Sequence, residues 1–246
     1  MDFTDNNNAS IITEDLIVIK NLLDSSESSI RNELNFYKYY ISTLKDENKI
    51  EFKCFDNQGA LFKLILAVYA TYEFSIKRML IYTLEVIDKE QVQVKELKIK
   101  LRTLYFKEHM EDLRLKIVSS KQGVKSLVSD KLVTIYNHFE DVEKFVAKES
   151  MVDTKSNIKY EVLREIISYF DFDENKFQKY KKYIESLVHH RNNVAHGNID
   201  FTDKLPQQIM PINSENYEEL CEKIIELLKD IFSCIKFYIT EKKYMI

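Results

Sequence analysis

Apolar residues recur at three- and four-residue steps along most of this chain, which is the spacing of one face of an α-helix. The clearest stretch is residues 59–88, GALFKLILAVYATYEFSIKRMLIYTLEVID, where two adjacent apolar rows predict a helix packed on two sides. Amphipathic patterns at residues 11–44, 95–119 and 129–147 predict further helices, and the polar segment between residues 45 and 59 predicts a connection.

The last third of the chain repeats this pattern in three segments. An apolar stripe from Val162 to Phe170 predicts one helix, which the acidic sequence DFDEN interrupts. The next predicted helix runs from about Asp173 to Ala195, and Gly197 is placed to end it because glycine tolerates the left-handed conformation. A final helix is predicted from about Ser214 to Tyr238.

Composition favours long helices with few turns. The chain of 246 residues contains only 3 Gly and 2 Pro, which are the residues that tight turns require. We therefore expect an all-α fold, a helical bundle in a single domain over residues 1–246. Its core is expected at about residues 59–88 and 154–240, with an additional helical insertion at 89–150.

Charge and cysteine content limit the classes of function. The formal net charge of −4 gives no general attraction to nucleic acid, so any RNA contact must come from a local patch. The 3 Cys are far apart, as expected of reduced thiols. The start MDFTDNNNAS does not resemble a signal peptide, and the apolar run ALFKLILAVYA is too short to span a bilayer. We expect a cytoplasmic protein without a membrane partner.

One stretch, SLVHHRNNVAHGNID at residues 186–200, concentrates chemically active side chains. Arg191 presents a cationic fork that matches phosphate oxygens, and His196 can exchange protons near neutral pH. Asn192 and Asn193 can orient either group, so the set suits RNA cleavage without a metal or cofactor. The alternative is a helix end where cations complement the helix dipole. A metal site on His189 and His196 is disfavoured, because seven residues of helix separate them by about 10.5 Å.

Basic and aromatic residues precede this stretch. Lys179, Lys182 and His190 are candidates for RNA binding, and Tyr180 and Tyr183 for stacking on bases. The alternatives are that the lysines form a solvated helix face and that the tyrosines belong to the core.

The sequence RNNVAHG resembles the R-x4-6-H signature of the HEPN superfamily, the higher eukaryotes and prokaryotes nucleotide-binding proteins. SNIKYEVLREII and LVHHRNNVAHG are similar to the C-terminal half of bacterial HEPN nucleases, and LILAVYATYEFSIKRML to their earlier core helix. The resemblance covers roughly residues 59–88 and 154–240. Residues 89–150 carry no part of this resemblance.

This resemblance implies a helical bundle that forms a homodimer, with two motifs meeting at the interface. It implies a metal-independent endoribonuclease of a toxin–antitoxin or antiviral defence system, with RNA and an antitoxin or defence protein as partners. Arg191 would contact the scissile phosphate, His196 would transfer protons, and Asn192 would position one of them. Glu73 would support Arg191, although the sequence equally allows it to pair with Lys77 one turn away.

Two other functions are open at this point. A non-catalytic HEPN module would bind RNA, a nucleotide or a protein partner without forming products. A purely structural helical scaffold would lose only stability when Arg191 is substituted.

Overall fold

The structure is a computed structural model of the chain, and it describes residues 4–46, 50–107, 110, 144–197, 209 and 216–246. Within these ranges it contains α-helices and short 3₁₀ segments but no β-strand beyond two isolated bridges, so the predicted all-α fold is confirmed. The helices are α1 Thr4–Asp46, α2 Ile50–Lys89, α3 over residues 99–107, α4 Tyr160–Tyr169, α5 Lys181–Ala195 and α6 Tyr217–Thr240.

Helix α2 is the centre of the bundle and contacts α1, α5 and α6. Most of its two predicted apolar rows is buried, including Tyr72, Ile76, Met79 and Leu80, but Leu66 of the second row is 40% exposed. The helix begins at Ile50 rather than near Gly59, so the connection predicted up to residue 59 is wrong for residues 50–58. That segment contains no proline, and one glycine within a long helix costs only about 1 kcal/mol.

Part of α2, Gly59–Lys89, is long and apolar enough to cross a membrane by length and composition, although the run ALFKLILAVYA alone is not. Of its most apolar window, 44% is buried inside the bundle. The segment also carries Glu73, Lys77 and Arg78. Packing against three neighbouring helices accounts for its apolar rows.

Helix α1 completes the core beside the two predicted segments. Apolar residues at helical spacing on α1 are buried against the rest of the bundle: Ile19, Leu23, Ile30, Leu34 and Tyr37. Ion pairs then join α1 to α6, with the guanidinium of Arg31 donating to both oxygens of Glu222 at 2.6 and 3.2 Å. Lys229 of α6 donates to Glu27 at 2.9 Å. The single-domain boundaries themselves stay a prediction.

The predicted insertion at 89–150 is anchored to the bundle at both ends. Ala147 N–H donates to the carboxylate of Asp88, at the end of α2, at 3.0 Å, and Lys98 N–H donates to the Tyr244 carbonyl at 2.7 Å. Helix α3 lies inside the predicted amphipathic segment 95–119. Residues 129–143 of the helix predicted at 129–147 lie outside the described residues, and the prediction is wrong for residues 144–147, which are not helical.

The helix predicted from Asp173 to Ala195 is two elements. Asp173 accepts from Asn175 N–H at 3.0 Å and so begins a 3₁₀ helix, Glu174–Tyr180, which leads directly into α5. Short side-chain acceptors commonly satisfy the first N–H groups of a helix in this way. The chain therefore enters α5, which carries the Arg191 motif, without an intervening loop.

Candidate active site

The motif lies in the last turn of α5. Ala195 is the last helical residue, and His196 follows with its N–H donating to the Asn192 carbonyl at 3.0 Å. Gly197 has a φ of 72°, the left-handed conformation that glycine adopts without strain, so its predicted role in ending the helix is confirmed. The chain turns directly after His196, which places this ring at the helix end.

Arg191 is held by a ring below it and an amide beside it. Its Cζ lies 4.9 Å from the centroid of the Tyr69 ring, within the range of a cation–π interaction. Its Nη1 donates to Oδ1 of Asn192 at 3.0 Å. Within the described residues, Arg191 forms no ion pair with a carboxylate. The guanidinium therefore retains N–H donors for oxygen atoms of a ligand.

Tyr69 is itself fixed in the core of the bundle. Its side chain is 3% exposed, and its hydroxyl accepts from the Ile158 N–H at 3.3 Å. Burial and then the charge of Glu73, one turn further along α2, raise the pKa of Tyr69 to about 12. Tyr69 is therefore neutral at physiological pH.

This arrangement bears on the two partners predicted for Glu73. Within the described residues, Glu73 forms no ion pair with either of them, because Lys77 pairs with Glu149 at 3.0 Å and Arg191 rests on Tyr69. Glu73 thus reaches Arg191 only through Tyr69. Its supporting role stays a prediction, now with Tyr69 as the intermediate residue.

Sequence reasoning missed Tyr69 as part of the site. The signal was present: Tyr69 lies four residues before Glu73, in the same row of the helix. A tyrosine in an apolar row is normally a core residue, and Tyr69 is indeed buried. Only the packing of α5 on α2 brings the Tyr69 ring under the guanidinium of Arg191.

His196 and Arg191 do not touch in the single chain. Their separation of five residues corresponds to about 7.5 Å of rise and about 140° of rotation around the helix. The His196 side chain is exposed and makes no hydrogen bond within the described residues. The Arg191 and His196 side chains can both approach a ligand at the end of α5, but within one chain they do not contact each other.

The other polar residues of the motif are engaged locally. Nδ2 of Asn193 lies 3.0 Å from Nε2 of His189, so this amide contacts His189 and not Arg191 or His196. The His189 and His190 rings meet edge to face, with centroids 5.4 Å apart. No group of three or more His, Cys, Asp or Glu in the described part of the chain is arranged to hold a metal ion.

His190 is a correction to the predicted RNA-binding set. Its side chain is 0% exposed, and a fully buried ring does not reach RNA on the surface. Tyr180 and Tyr183 are likewise buried, and their hydroxyls hydrogen-bond Asp230 and Glu219 of α6. The alternative that these tyrosines belong to the core is the correct one.

The lysines form a solvated face at the other end of α5. Lys179 pairs with Asp230 at 3.0 Å, and Lys182 lies 4.0 Å from Glu219. Lys182 precedes Arg191 by nine residues, which is about 13.5 Å of rise and about 180° of rotation. Lys182 therefore points away from Arg191, and about 21 Å of helix axis separates it from His196. An RNA-binding role for Lys179 and Lys182 stays a prediction that this placement does not favour.

The bundle and its Arg191 motif define an all-α protein of the HEPN type. The family model RiboL-PSP-HEPN matches residues 12–236, so the chain belongs to the RiboL-PSP-HEPN family. This confirms the resemblance to the HEPN superfamily, and it indicates a nuclease or RNA-related function. The match includes α1 and the region 89–150. No curated protein and no solved structure matches the chain significantly.

Proposed function

We propose that this chain is a metal-independent endoribonuclease that cleaves RNA with Arg191 and His196. The supporting observation is the contrast between the two side chains. Arg191 is fixed on a buried ring but keeps donors for a ligand, while His196 is exposed at the same helix end. A fixed cation and an accessible proton carrier are the two groups that phosphodiester cleavage needs.

The proposed reaction is a transesterification. The guanidinium of Arg191 binds the non-bridging oxygens of the scissile phosphate and stabilises the charge that develops on them. A neutral imidazole of His196 takes the proton of the ribose 2′-hydroxyl as the 2′-oxygen bonds to phosphorus. The bond from phosphorus to the 5′-oxygen breaks, and an imidazolium protonates that leaving oxygen. The products are a 2′,3′-cyclic phosphate and a 5′-hydroxyl.

The reaction uses one base and one acid, which favours two copies of the motif. In one chain the rotation of about 140° separates His196 from Arg191, so a second copy facing the first would supply the complementary histidine. Helix α2 presents exposed Leu66, Ala70 and Phe74 along one row, beside Tyr69 and Glu73. We infer that a second copy of this chain covers this row, which places the two motifs together.

The cellular role is proposed from the resemblance to bacterial HEPN nucleases. The protein would act in the cytoplasm as a toxin or phage-defence effector, controlled by an antitoxin or another protein of the same system. Inducing the wild-type protein in bacterial cells should then arrest growth, whereas a His196→Ala variant expressed to the same level should not. Growth arrest by both proteins would contradict a role for cleavage in toxicity.

The direct test is cleavage of mixed cellular RNA by the purified protein in the presence of EDTA. Wild type should produce fragments that end in a 2′,3′-cyclic phosphate, and Arg191→Ala and His196→Ala should not, while their circular dichroism stays unchanged. Arg164→Ala is the matched control, because it removes an exposed arginine, paired with Glu174, that has no proposed role in RNA binding. It should cleave at the wild-type rate. Saturable RNA binding without fragments from any variant would instead identify a non-catalytic RNA-binding module.

A further inference from the structure

A second concave surface shares no residue with the Arg191 motif. It is a cavity of about 420 Å³ between the beginning of α3, the turn after α4 and the end of α6. That volume lies within the range of about 300–1,000 Å³ for sites that bind small molecules. Nothing in the proposed cleavage reaction uses this cavity.

The side chains that line the cavity have an excess of positive charge. Lys98, Lys100 and Arg102 face a single acidic side chain, Asp171. Nζ of Lys100 lies 2.7 Å and Nζ of Lys98 lies 3.6 Å from the Asp171 carboxylate. Lys100 and then Lys98 hold the pKa of Asp171 below its usual value, so the carboxylate is ionised at neutral pH. The two lysines already compensate its charge, which leaves Arg102 uncompensated.

Arg102 is the feature that points to a ligand. It lines the cavity, and within the described residues it forms no ion pair. Its Nε is closed off from solvent, so the guanidinium can meet a ligand only with its two Nη groups. A partly buried cation without a counter-ion is unfavourable. A bound anion would compensate this charge.

The remaining walls of the cavity are apolar. Tyr238 forms a buried wall, and its ring packs at 5.9 Å from Phe170 and 5.6 Å from Phe172, which makes this wall rigid. Ile99 and Ile246 also line the cavity and are 69% and 83% exposed. Apolar side chains this exposed beside an uncompensated arginine suit a ligand that combines an anionic group with an apolar body.

We propose that this cavity binds a small phosphate monoester with an apolar or aromatic body. The guanidinium of Arg102 binds the phosphate, because its planar fork matches two phosphate oxygens. The lysines add attraction, and Ile99 and Ile246 cover the apolar part. This site is independent of the proposed RNA cleavage.

Calorimetric titration with phenyl phosphate tests the proposal. Phenyl phosphate should bind saturably to the full chain, inorganic phosphate should bind at least tenfold more weakly, and phenol should not bind. Arg102→Ala should weaken phenyl phosphate at least tenfold, or about 1.4 kcal/mol. The matched control is Arg164→Ala, which removes an exposed arginine paired with Glu174 at 2.7 Å and should bind like wild type.

Three results would overturn the proposal: no saturable binding of phenyl phosphate at millimolar concentrations, equal binding of inorganic phosphate, or equal weakening by Arg102→Ala and Arg164→Ala. The last would indicate general attraction of anions to a charged surface. If Arg102→Ala does not fold, Ile99→Glu provides the second test. Ile99 is exposed, so this variant should fold, and its carboxylate at the cavity should weaken phenyl phosphate tenfold or more. Unchanged binding to Ile99→Glu would equally overturn the site.

Discussion

The contact between Arg191 and Tyr69 makes a measurable prediction about the site. A guanidinium over an aromatic ring contributes about 0.5–1 kcal/mol when exposed and about 2 kcal/mol when desolvated. Tyr69 is 3% exposed and Arg191 is partly buried, so we expect a coupling of about 1–2 kcal/mol. A double-mutant cycle of Tyr69→Leu and Arg191→Met should give this value from the free energies of unfolding in urea.

The cycle is needed because Tyr69→Leu alone also leaves a cavity in the core. Single large-to-small substitutions in a core cost about 2–5 kcal/mol, and this cost cancels when the two edges of the cycle are subtracted. The control is a second cycle with Tyr69→Phe, which retains the ring but loses the hydroxyl. Its coupling should fall below about 0.5 kcal/mol. Coupling below that value in the Tyr69→Leu cycle would refute the assignment of Tyr69 as the support of Arg191.

The same contact predicts a kinetic effect if the proposed ribonuclease reaction is correct. Losing about 1–2 kcal/mol of positioning energy corresponds to roughly a 5- to 30-fold lower rate. Tyr69→Leu should lower the single-turnover rate at saturating RNA, because the arginine would still bind phosphate but in the wrong position. Tyr69→Phe should retain most of the rate. An effect on RNA affinity alone would indicate that Tyr69 acts only in binding.

Three further outcomes follow from the described contacts. Gly197→Ala should lower the free energy of unfolding in urea by about 1–2 kcal/mol because of its φ of 72°, whereas Gly59→Ala, inside α2, should raise it by about 0.5–1 kcal/mol. Phe74→Asp should weaken the proposed dimer by roughly 10- to 100-fold in light scattering, because a phenylalanine contributes about 1.5–3 kcal/mol when buried. Lys229 and then Arg31 hold the pKa of Glu27 below its ordinary 4.5, so Glu27→Gln should cost about 0.5–1 kcal/mol at pH 7. That difference should disappear as the pH falls below 4.5 through the lower pKa of the folded state.

The helices and the end of α5 could be predicted from sequence because both depend on local patterns. Most of the two apolar rows of residues 59–88 is buried, and Gly197 ends α5 in the left-handed conformation. The beginning of α2 could not be located in the same way. Residues 50–58 are polar enough for a loop, and the helix continues through them without any strong signal in the sequence.

The surroundings of the motif were harder to predict because they depend on contacts between helices. Lys182 and Arg191 belong to the same helix, and their charges suggest one basic surface. The rotation of about 180° between them separates the two faces. Lys179 and Lys182 then pair with Asp230 and Glu219 of α6, and the sequence around these lysines does not predict these partners. The number of basic residues in a segment therefore overestimates the positive charge of the surface that they form.

The position of Tyr69 suggests why the motif needs its particular surroundings in the bundle. An arginine in the last turn of a helix is normally mobile, since a long side chain loses about 2 kcal/mol of rotamer entropy when it is fixed. Here α2 supplies a buried ring that offsets part of this loss, and the Ile158 N–H fixes the ring in turn. His196 has no such support within the described residues. Proton transfer to and from two different oxygens requires some freedom of the imidazole, whereas charge stabilisation requires a fixed donor. The unequal support of the two side chains therefore agrees with their proposed roles.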